Sequence, residues 1–209
     1  MMSKVLFVKA NDRTAEESAT VKLYNAFLES YKASHPSDEI TELDLFSVEL
    51  PYLNANMING TFKSARGLEL NAEEARLAGV ANGYLDQFLA ADKVVFAFPL
   101  WNMTIPAVLH TYIDYLNQAG KTFKYTAEGP VGLVTETKVA LLNARGGVYS
   151  EGPAAAAEMS LNFMSNILSF FGVKDIVKVV LEGHNQAPDQ AQAIVEAAVQ
   201  SATEAAKSF

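Results

Sequence analysis

Cysteine is absent from this 209-residue chain, and that gap removes several chemistries at once. There is no disulfide framework, no zinc–thiolate or iron–sulfur centre, and no thiol nucleophile. Glycine and proline are sparse, at 12 and 7 residues, below an ordinary combined share of about 12%, which rules out collagen-like and low-complexity organisation. Cations are outnumbered, 16 Lys and Arg against 24 Asp and Glu, for a formal charge of −8. A net negative field opposes non-specific association with nucleic acid and with anionic membrane surfaces, so neither is an expected partner. Long apolar runs are also missing. Val5-Leu6-Phe7-Val8 is far shorter than a signal-peptide core or a membrane span of about 20 residues, and the expectation is a soluble, cytoplasmic protein. What is present is a chain 50% hydrophobic and of a length suited to one domain, residues 1–209. Such a chain can bury about 70% of its unfolded surface.

Two hydrophobic periods alternate along it. Short apolar runs at Lys4–Ala10, Ile40–Leu45, Lys93–Pro99, Lys138–Asn143 and Asp175–Leu181 read as strands. Segments with helical spacing lie between them, at Ser18–Ser34, Ala72–Leu89, Pro106–Ala119, Pro153–Phe171 and Pro188–Lys207. Gly172 is a good helix stop, and Pro106 and Pro188 suit first helical positions. Strands alternating with helices predict an α/β fold, a parallel sheet covered on both faces. The first and third strands are almost wholly apolar and belong in the centre, whereas Ile40–Leu45 alternates and fits an edge. The flavodoxin-like order 2-1-3-4-5 satisfies these constraints, and the lack of a sixth strand and of a glycine fingerprint disfavours a dinucleotide-binding Rossmann fold.

Ligands in such sheets bind beyond the carboxyl ends of the strands at the topological switch point. Three loops should meet there, Ala10–Glu17, Leu100–Ile105 and Ala144–Gly152. The first opens into a helix whose N-terminal amides and dipole suit a phosphate, with Asn11, Arg13, Thr14 and Ser18 as added donors; equally, Ser18 serves as a plain helix cap. The second carries the only Trp, with Pro99 and Pro106 stiffening the turn. Leu100, Trp101 and Met103 offer apolar walls for a planar ligand and Asn102 an edge contact, while ordinary packing of Trp101 is an even alternative. In the third, Gly146 and Gly147 let backbone approach a ligand closely. Their amides, with Arg145, would stabilise negative charge at the N1–C2=O edge of a reduced flavin; the alternative is a simple turn with Arg145 on the surface.

Other constellations are weaker. His110 and Asp114 share a helix face but lack a third ligand, so no metal site is expected. His184 lies just beyond the last strand, on the ligand side. No G-x-S-x-G elbow exists for a serine hydrolase, and no acid follows the third strand as a phosphoacceptor domain needs. The connection Phe46–Asn71 shows no clear periodicity yet is rich in apolar residues, Tyr52 among them. Its length points to function, either reaching across a dimer to wall the partner's pocket or padding its own subunit.

Taken together, VLFVKA with Ser18, FPLWNMTIPAVLHTYIDYL (Phe98–Leu116), GKTFKYTAEGPVGLV (Gly120–Val134) and NARGG (Asn143–Gly147) resemble the FMN-dependent NADH:quinone oxidoreductases, or azoreductases, over essentially the whole chain. The central block, with Trp-Asn, is similar to the Bacillus-type members. The resemblance implies a flavodoxin-like homodimer with one FMN per subunit at the interface and NADH as co-substrate. It implies phosphate contacts at Asn11 and Ser18, and isoalloxazine contacts at Pro99, Leu100, Trp101, Asn102 and Met103 and at Asn143, Ala144, Arg145, Gly146 and Gly147. Where some members carry several serines in the phosphate loop, this chain has only Ser18. Trp101, Phe123, Tyr125, Tyr149 and Tyr52 are the candidate aromatic walls for small aromatic acceptors, with core packing the alternative for Phe123 and Tyr125. The implied cycle is ping-pong: NADH gives a hydride to the flavin and leaves, and a quinone or azo compound then takes the electrons in the same place. No side-chain acid, base or nucleophile is obligatory. A flavin electron carrier without turnover of its own is the alternative function.

Overall fold

Along each central strand, apolar side chains alternate between two buried faces, because successive side chains of a strand point to opposite sides. A computed structural model describes residues 2–209. In chain order its elements are β1 (Lys4–Lys9), α1 (Ala19–Ser34), β2 (Glu39–Asp44), α2 (Ala55–Ser64), α3 (Ala72–Leu89), β3 (Lys93–Pro99), α4 (Ala107–Leu116), β4 (Phe123–Thr126), β5 (Gly129–Gly132), β6 (Lys138–Arg145), α5 (Leu161–Phe171), β7 (Ile176–Glu182) and α6 (Ala191–Ser208). Five strands form a parallel sheet in the order β2-β1-β3-β6-β7. Counted among themselves, they lie in the expected order, with β2 at an edge. Val5, Phe7, Val95, Ala97, Ala140 and Leu142 pack under α1 and α6. Leu6, Val8, Val94, Phe96, Val139 and Leu141 pack against the opposite layer, built by α3, α4 and α5.

Local signals explain the helix ends. Ser18 Oγ accepts the Val21 N–H at the start of α1, satisfying one of the orphan donors of a helix N-terminus. Asn71 and Glu74 form a reciprocal capping box at α3, and Gly172 ends α5 with φ of 104°, a conformation that only glycine adopts without penalty.

Five expectations need correction. The segment Pro153–Phe171 is not one helix. Pro153–Ala157 is a short 3-10 turn, Glu158 is extended, and α5 begins afresh at Leu161 because the Glu158 carboxylate accepts the amides of Ser160, Leu161 and Asn162. Likewise Pro188 opens a 3-10 turn ahead of α6, and Pro106 sits at the cap of α4 rather than inside it. The connection Phe46–Asn71 contains α2, whose Met57 is fully buried against Leu77, Ala81 and Tyr115; only Met57 and Gly60 of α2 are buried, too few for a visible helical period. Finally, the expected strands did not include β4 and β5, an antiparallel hairpin apart from the main sheet. Of β4 only Phe123 is buried, so these strands carry no alternation to read.

Candidate functional site

The carboxyl ends of β1, β3, β6 and β7 open onto one cleft of about 200 Å³. Its lining draws on the three expected loops, through Asn11, Ser18, Pro99, Leu100, Trp101, Ala144, Arg145 and Gly146, and on a fourth through His184 and Asn185. The parallel register brings these ends together: Pro99 pairs with Ala144 and Arg145 with Glu182. The N–H of Leu100 then donates to the carbonyl of Ala144 at 2.9 Å, tying the second loop to the third.

At the first loop, buried Asn11 donates from Nδ2 to Ser18 Oγ at 2.9 Å. Its Oδ1 accepts the Arg13 N–H at 3.0 Å, so one side chain shapes the entry into α1. Ala19 and Thr20, the first residues of α1, also line the cleft, and N–H groups there have no intrahelical acceptor. Free N–H groups at a helix N-terminus suit an anionic group. Nearby, His184 keeps a buried Nδ1 without a protein partner, and burial, with the Lys22 charge, pulls its pKa below the ordinary value.

In the second loop, Trp101 and Thr104 exchange both backbone hydrogen bonds, each at 3.0 Å, around Asn102 at φ 50° and Met103 at φ 68°. Positive φ at both central residues is the type I′ geometry. Asn tolerates it; Met does so at a cost of order 1 kcal/mol. Asn102 and Met103 stand exposed at the rim, while the indole of Trp101 is half-buried and meets Phe46 edge-on at 6.3 Å.

In the third loop the glycines leave room for neighbouring side chains. A Cβ on Gly146 would lie 2.3 Å from Asn185 Nδ2, and the carbonyl of Gly146 accepts the Asn185 N–H at 3.0 Å. Gly147 faces Gln186 and the Tyr149 ring at about 3 Å in the same sense. Arg145, however, is not a surface residue. It is 4% exposed, with Nε 2.9 Å from Glu182 and Nη1 3.4 Å from Glu158. Asn143 is also buried, giving its Nδ2 to the Phe98 carbonyl and to Ser160 Oγ. Both point to the α5 layer because they continue the Val139, Leu141 side of β6.

The aromatic candidates separate. Tyr149 sits beside Glu182 in the space adjoining Arg145. Phe123 is core rather than wall, packed 4.6 Å from Phe170. Tyr125 and Tyr52 are each 75% exposed and do not line the cleft within their own chain. Tyr125 borders a second, apolar groove of about 460 Å³ with Leu53, Met57, Ile58 and Phe62. Glu158, Ser160 and Glu182 were not among the sequence candidates; the extended break at Glu158 inside an apparent helix is where a signal was missed.

The family model for the flavodoxin-like fold matches residues 3–206. An FMN-dependent NADH:quinone oxidoreductase of Bacillus subtilis is 64% identical over the full length of both chains. The chain belongs to this family. Among solved structures, an azoreductase from Bacillus anthracis superposes with a TM-score of 0.98 at 62% identity, covering both chains completely. Another family member, an FMN-dependent NADH-azoreductase from Bacillus anthracis in complex with FMN, has a TM-score of 0.87 at 27% identity, over 98% of this chain and all of that one. The residues fit the cofactor of those relatives: free N–H groups at the start of α1, an unpartnered buried imidazole nitrogen, an apolar wall, and a glycine turn without side chains of its own.

Proposed function

We propose that the protein is an FMN-dependent NADH:quinone oxidoreductase with azoreductase activity, cytoplasmic and homodimeric. The observation that carries this reading is the convergence in one cleft of the α1 terminus, the Leu100–Thr104 turn and the Gly146–Gly147 turn, in a chain 64% identical to a named member of the family. Bound FMN supplies reversible two-electron chemistry. Asn11, Ser18 and the first amides of α1 would hold its phosphate, and Leu100 and Trp101 would supply the apolar wall. The backbone around Ala144, Gly146 and Gly147 would take the polar edge of the ring, with Asn102 and Met103 at the rim.

NADH and the acceptor use the open side of the cleft in turn. One cycle moves two electrons and two protons to a quinone, giving the hydroquinone. Cleavage of an azo bond to two amines takes two cycles and four of each. No side chain needs to act as acid, base or nucleophile. The homodimer is supported by the apolar residues that lie exposed on and around α2 and the β4–β5 hairpin, including Tyr52, Ile58, Phe62, Tyr125 and Val131. An apolar patch of this kind marks an interaction surface, and Tyr52 and Tyr125 would meet the partner's cleft across it.

The test is an absorbance titration of the purified protein under anaerobic conditions. Flavin bands that bleach with NADH and return with a quinone are the expected result. Bands that NADH leaves unchanged would favour an electron carrier, and a colourless protein that takes up no added FMN would overturn the cofactor assignment. Sedimentation of a single-chain species at micromolar concentration would remove the homodimer.

A further inference from the structure

The short segment between the 3-10 turn at Pro153–Ala157 and α5 ties together two loops that the sequence keeps far apart. Glu158 is 4% exposed. Its Oε1 accepts the N–H of Ser160 at 2.9 Å and of Leu161 at 2.8 Å, and its Oε2 accepts the N–H of Asn162 at 3.0 Å. The same Oε1 takes the Ser160 hydroxyl at 2.5 Å. From there the bonds run in two directions. Toward β3, Ser160 Oγ accepts Asn143 Nδ2 at 3.2 Å, which also reaches the Phe98 carbonyl, and the Met159 N–H donates to the Met103 carbonyl at 3.0 Å. Toward β6 and β7, Glu158 lies 3.4 Å from Arg145.

Arg145 has a second carboxylate. Glu182 takes its Nε at 2.9 Å and also accepts the N–H of Tyr149 at 2.9 Å and of Ser150 at 3.1 Å, together with the Ser150 hydroxyl. Burial raises the pKa of both carboxyls, but their hydrogen bonds outweigh it, and each is held below the ordinary carboxylate value. Two carboxylates on one guanidinium leave a net negative group directly behind the Gly146–Gly147 turn. Arg145 is therefore not a source of positive field at that turn, as its sequence position implied.

We propose that Glu158 is a positioning residue of the flavin site. By fixing the start of α5 it holds the Met159 N–H against the Met103 carbonyl of the Trp101–Thr104 turn, and through Arg145 it joins Glu182, which carries the amides of Tyr149 and Ser150; together the two carboxylates outweigh the Arg145 charge behind the glycine amides. This rests on the cofactor assignment above. A carboxylate that merely caps α5 would contribute stability and nothing more.

Glu158→Gln keeps the side-chain shape and an amide acceptor but removes the charge. It leaves Arg145 with a single counter-ion, and the added positive field favours the more negative, reduced flavin over the oxidised one. The expected result is a rise of about fivefold or more in the ratio of reduced to oxidised FMN affinity, read from the midpoint potential and from flavin titration. Adding Arg145→Gln should return that ratio to within about twofold of the wild type, because the cluster, neutral in the single variant, regains the single negative charge it carries in the wild type. Hydrogen exchange of the flavin-free protein should show the amides of Asn102–Thr104 and of Gly146–Ser150 loosening together in Glu158→Gln.

An unchanged affinity ratio, or exchange that quickens only at the start of α5, would overturn the proposal. If Glu158→Gln does not fold, Glu158→Asp decides by the same exchange measurement. The shortened carboxylate should quicken both loops, and protection equal to the wild type in either one would overturn it. A wild-type protein that binds no FMN would instead refute the cofactor assignment, and the paired exchange result would still decide whether Glu158 couples the two loops.

Discussion

Asn11 Nδ2 donates to Ser18 Oγ at 2.9 Å, and that same hydroxyl oxygen accepts the Val21 N–H at 3.3 Å. One oxygen thus accepts from both Asn11 and the capped end of α1, on a residue that lines the cleft. The end of β1 and the start of α1 are fixed to each other by side chains seven residues apart.

Ser18→Ala should therefore weaken two things at once. Loss of an N-cap costs about 1 kcal/mol of stability, seen as a lower midpoint in urea. FMN should bind about tenfold more weakly, since a hydrogen bond to a charged group contributes about 1.5–3 kcal/mol. Riboflavin, which has no phosphate, should bind as tightly as to the wild type. Equal losses for both ligands would mean that Ser18 shapes the ring pocket and not the phosphate seat.

The turn at Asn102 and Met103 stores backbone strain. Met103→Gly should raise stability by up to about 1 kcal/mol, because glycine adopts positive φ freely. Met103→Val should lower stability, since a β-branched residue resists that region most. Thermal unfolding of the two variants compares them directly, and a shift of the same sign in both would remove strain as the cause.

Gly146→Ala places a methyl group 2.3 Å from Asn185 Nδ2 and 3.0 Å from its Cγ. The Asn185 side chain must swing aside, and the loss should fall at or below the usual overpacking range of about 1–3 kcal/mol. Asn185→Gly in the same chain removes the obstructing side chain and should recover most of the stability and of the FMN affinity. Gly132→Ala offers a contrast. There the new atom meets the backbone of Gly172 at 2.2 Å, and no single side-chain truncation should rescue it.

Phe123 and Tyr125 are adjacent on one face of the β4–β5 hairpin but should behave differently. Phe123→Ala empties a buried site and should cost about 3–5 kcal/mol. Tyr125→Ala, at an exposed position, should stay within about 0.5 kcal/mol while weakening dimerisation or raising KM for a quinone. Denaturant curves at several protein concentrations separate these effects. A Tyr125→Ala variant unchanged in assembly and in KM would take Tyr125 out of the acceptor pocket.

Acid should remove the stability that the two carboxylates around Arg145 contribute. The pKa values of Glu158 and Glu182 lie below the ordinary 4.5 in the folded protein. The stability they contribute is therefore complete above that value and is lost as pH falls through the lower, folded-state values. Melting temperature should decline more steeply below pH 4.5 in the wild type than in Glu158→Gln, and the two curves should converge in acid. Parallel curves would show that Glu158 is not a source of the acid sensitivity.

Much of this protein is determined by sequence that acts locally. Continuous apolar runs specify the buried strands, since a strand covered on both faces needs apolar side chains in both directions. Ser18 and Gly172 mark helix ends because each satisfies a backbone need within a few residues. The three cleft loops were legible because chain direction and strand order alone bring them to one end of the sheet.

Tertiary structure decided the rest. Nothing near Arg145 in sequence reveals that two carboxylates, from 13 and 37 residues away, bury and neutralise it. The alternation of β6 turns its side chain toward α5, and only the docking of that layer places Glu158 there. Phe123 reads as a pocket aromatic until the hairpin folds it against Phe170. The helix at Ala55–Ser64 is stabilised by what lies beneath Met57 and Gly60, not by a pattern of its own. Local backbone preference is written residue by residue in the chain, whereas the partner of a buried charge or ring is set by how the layers pack.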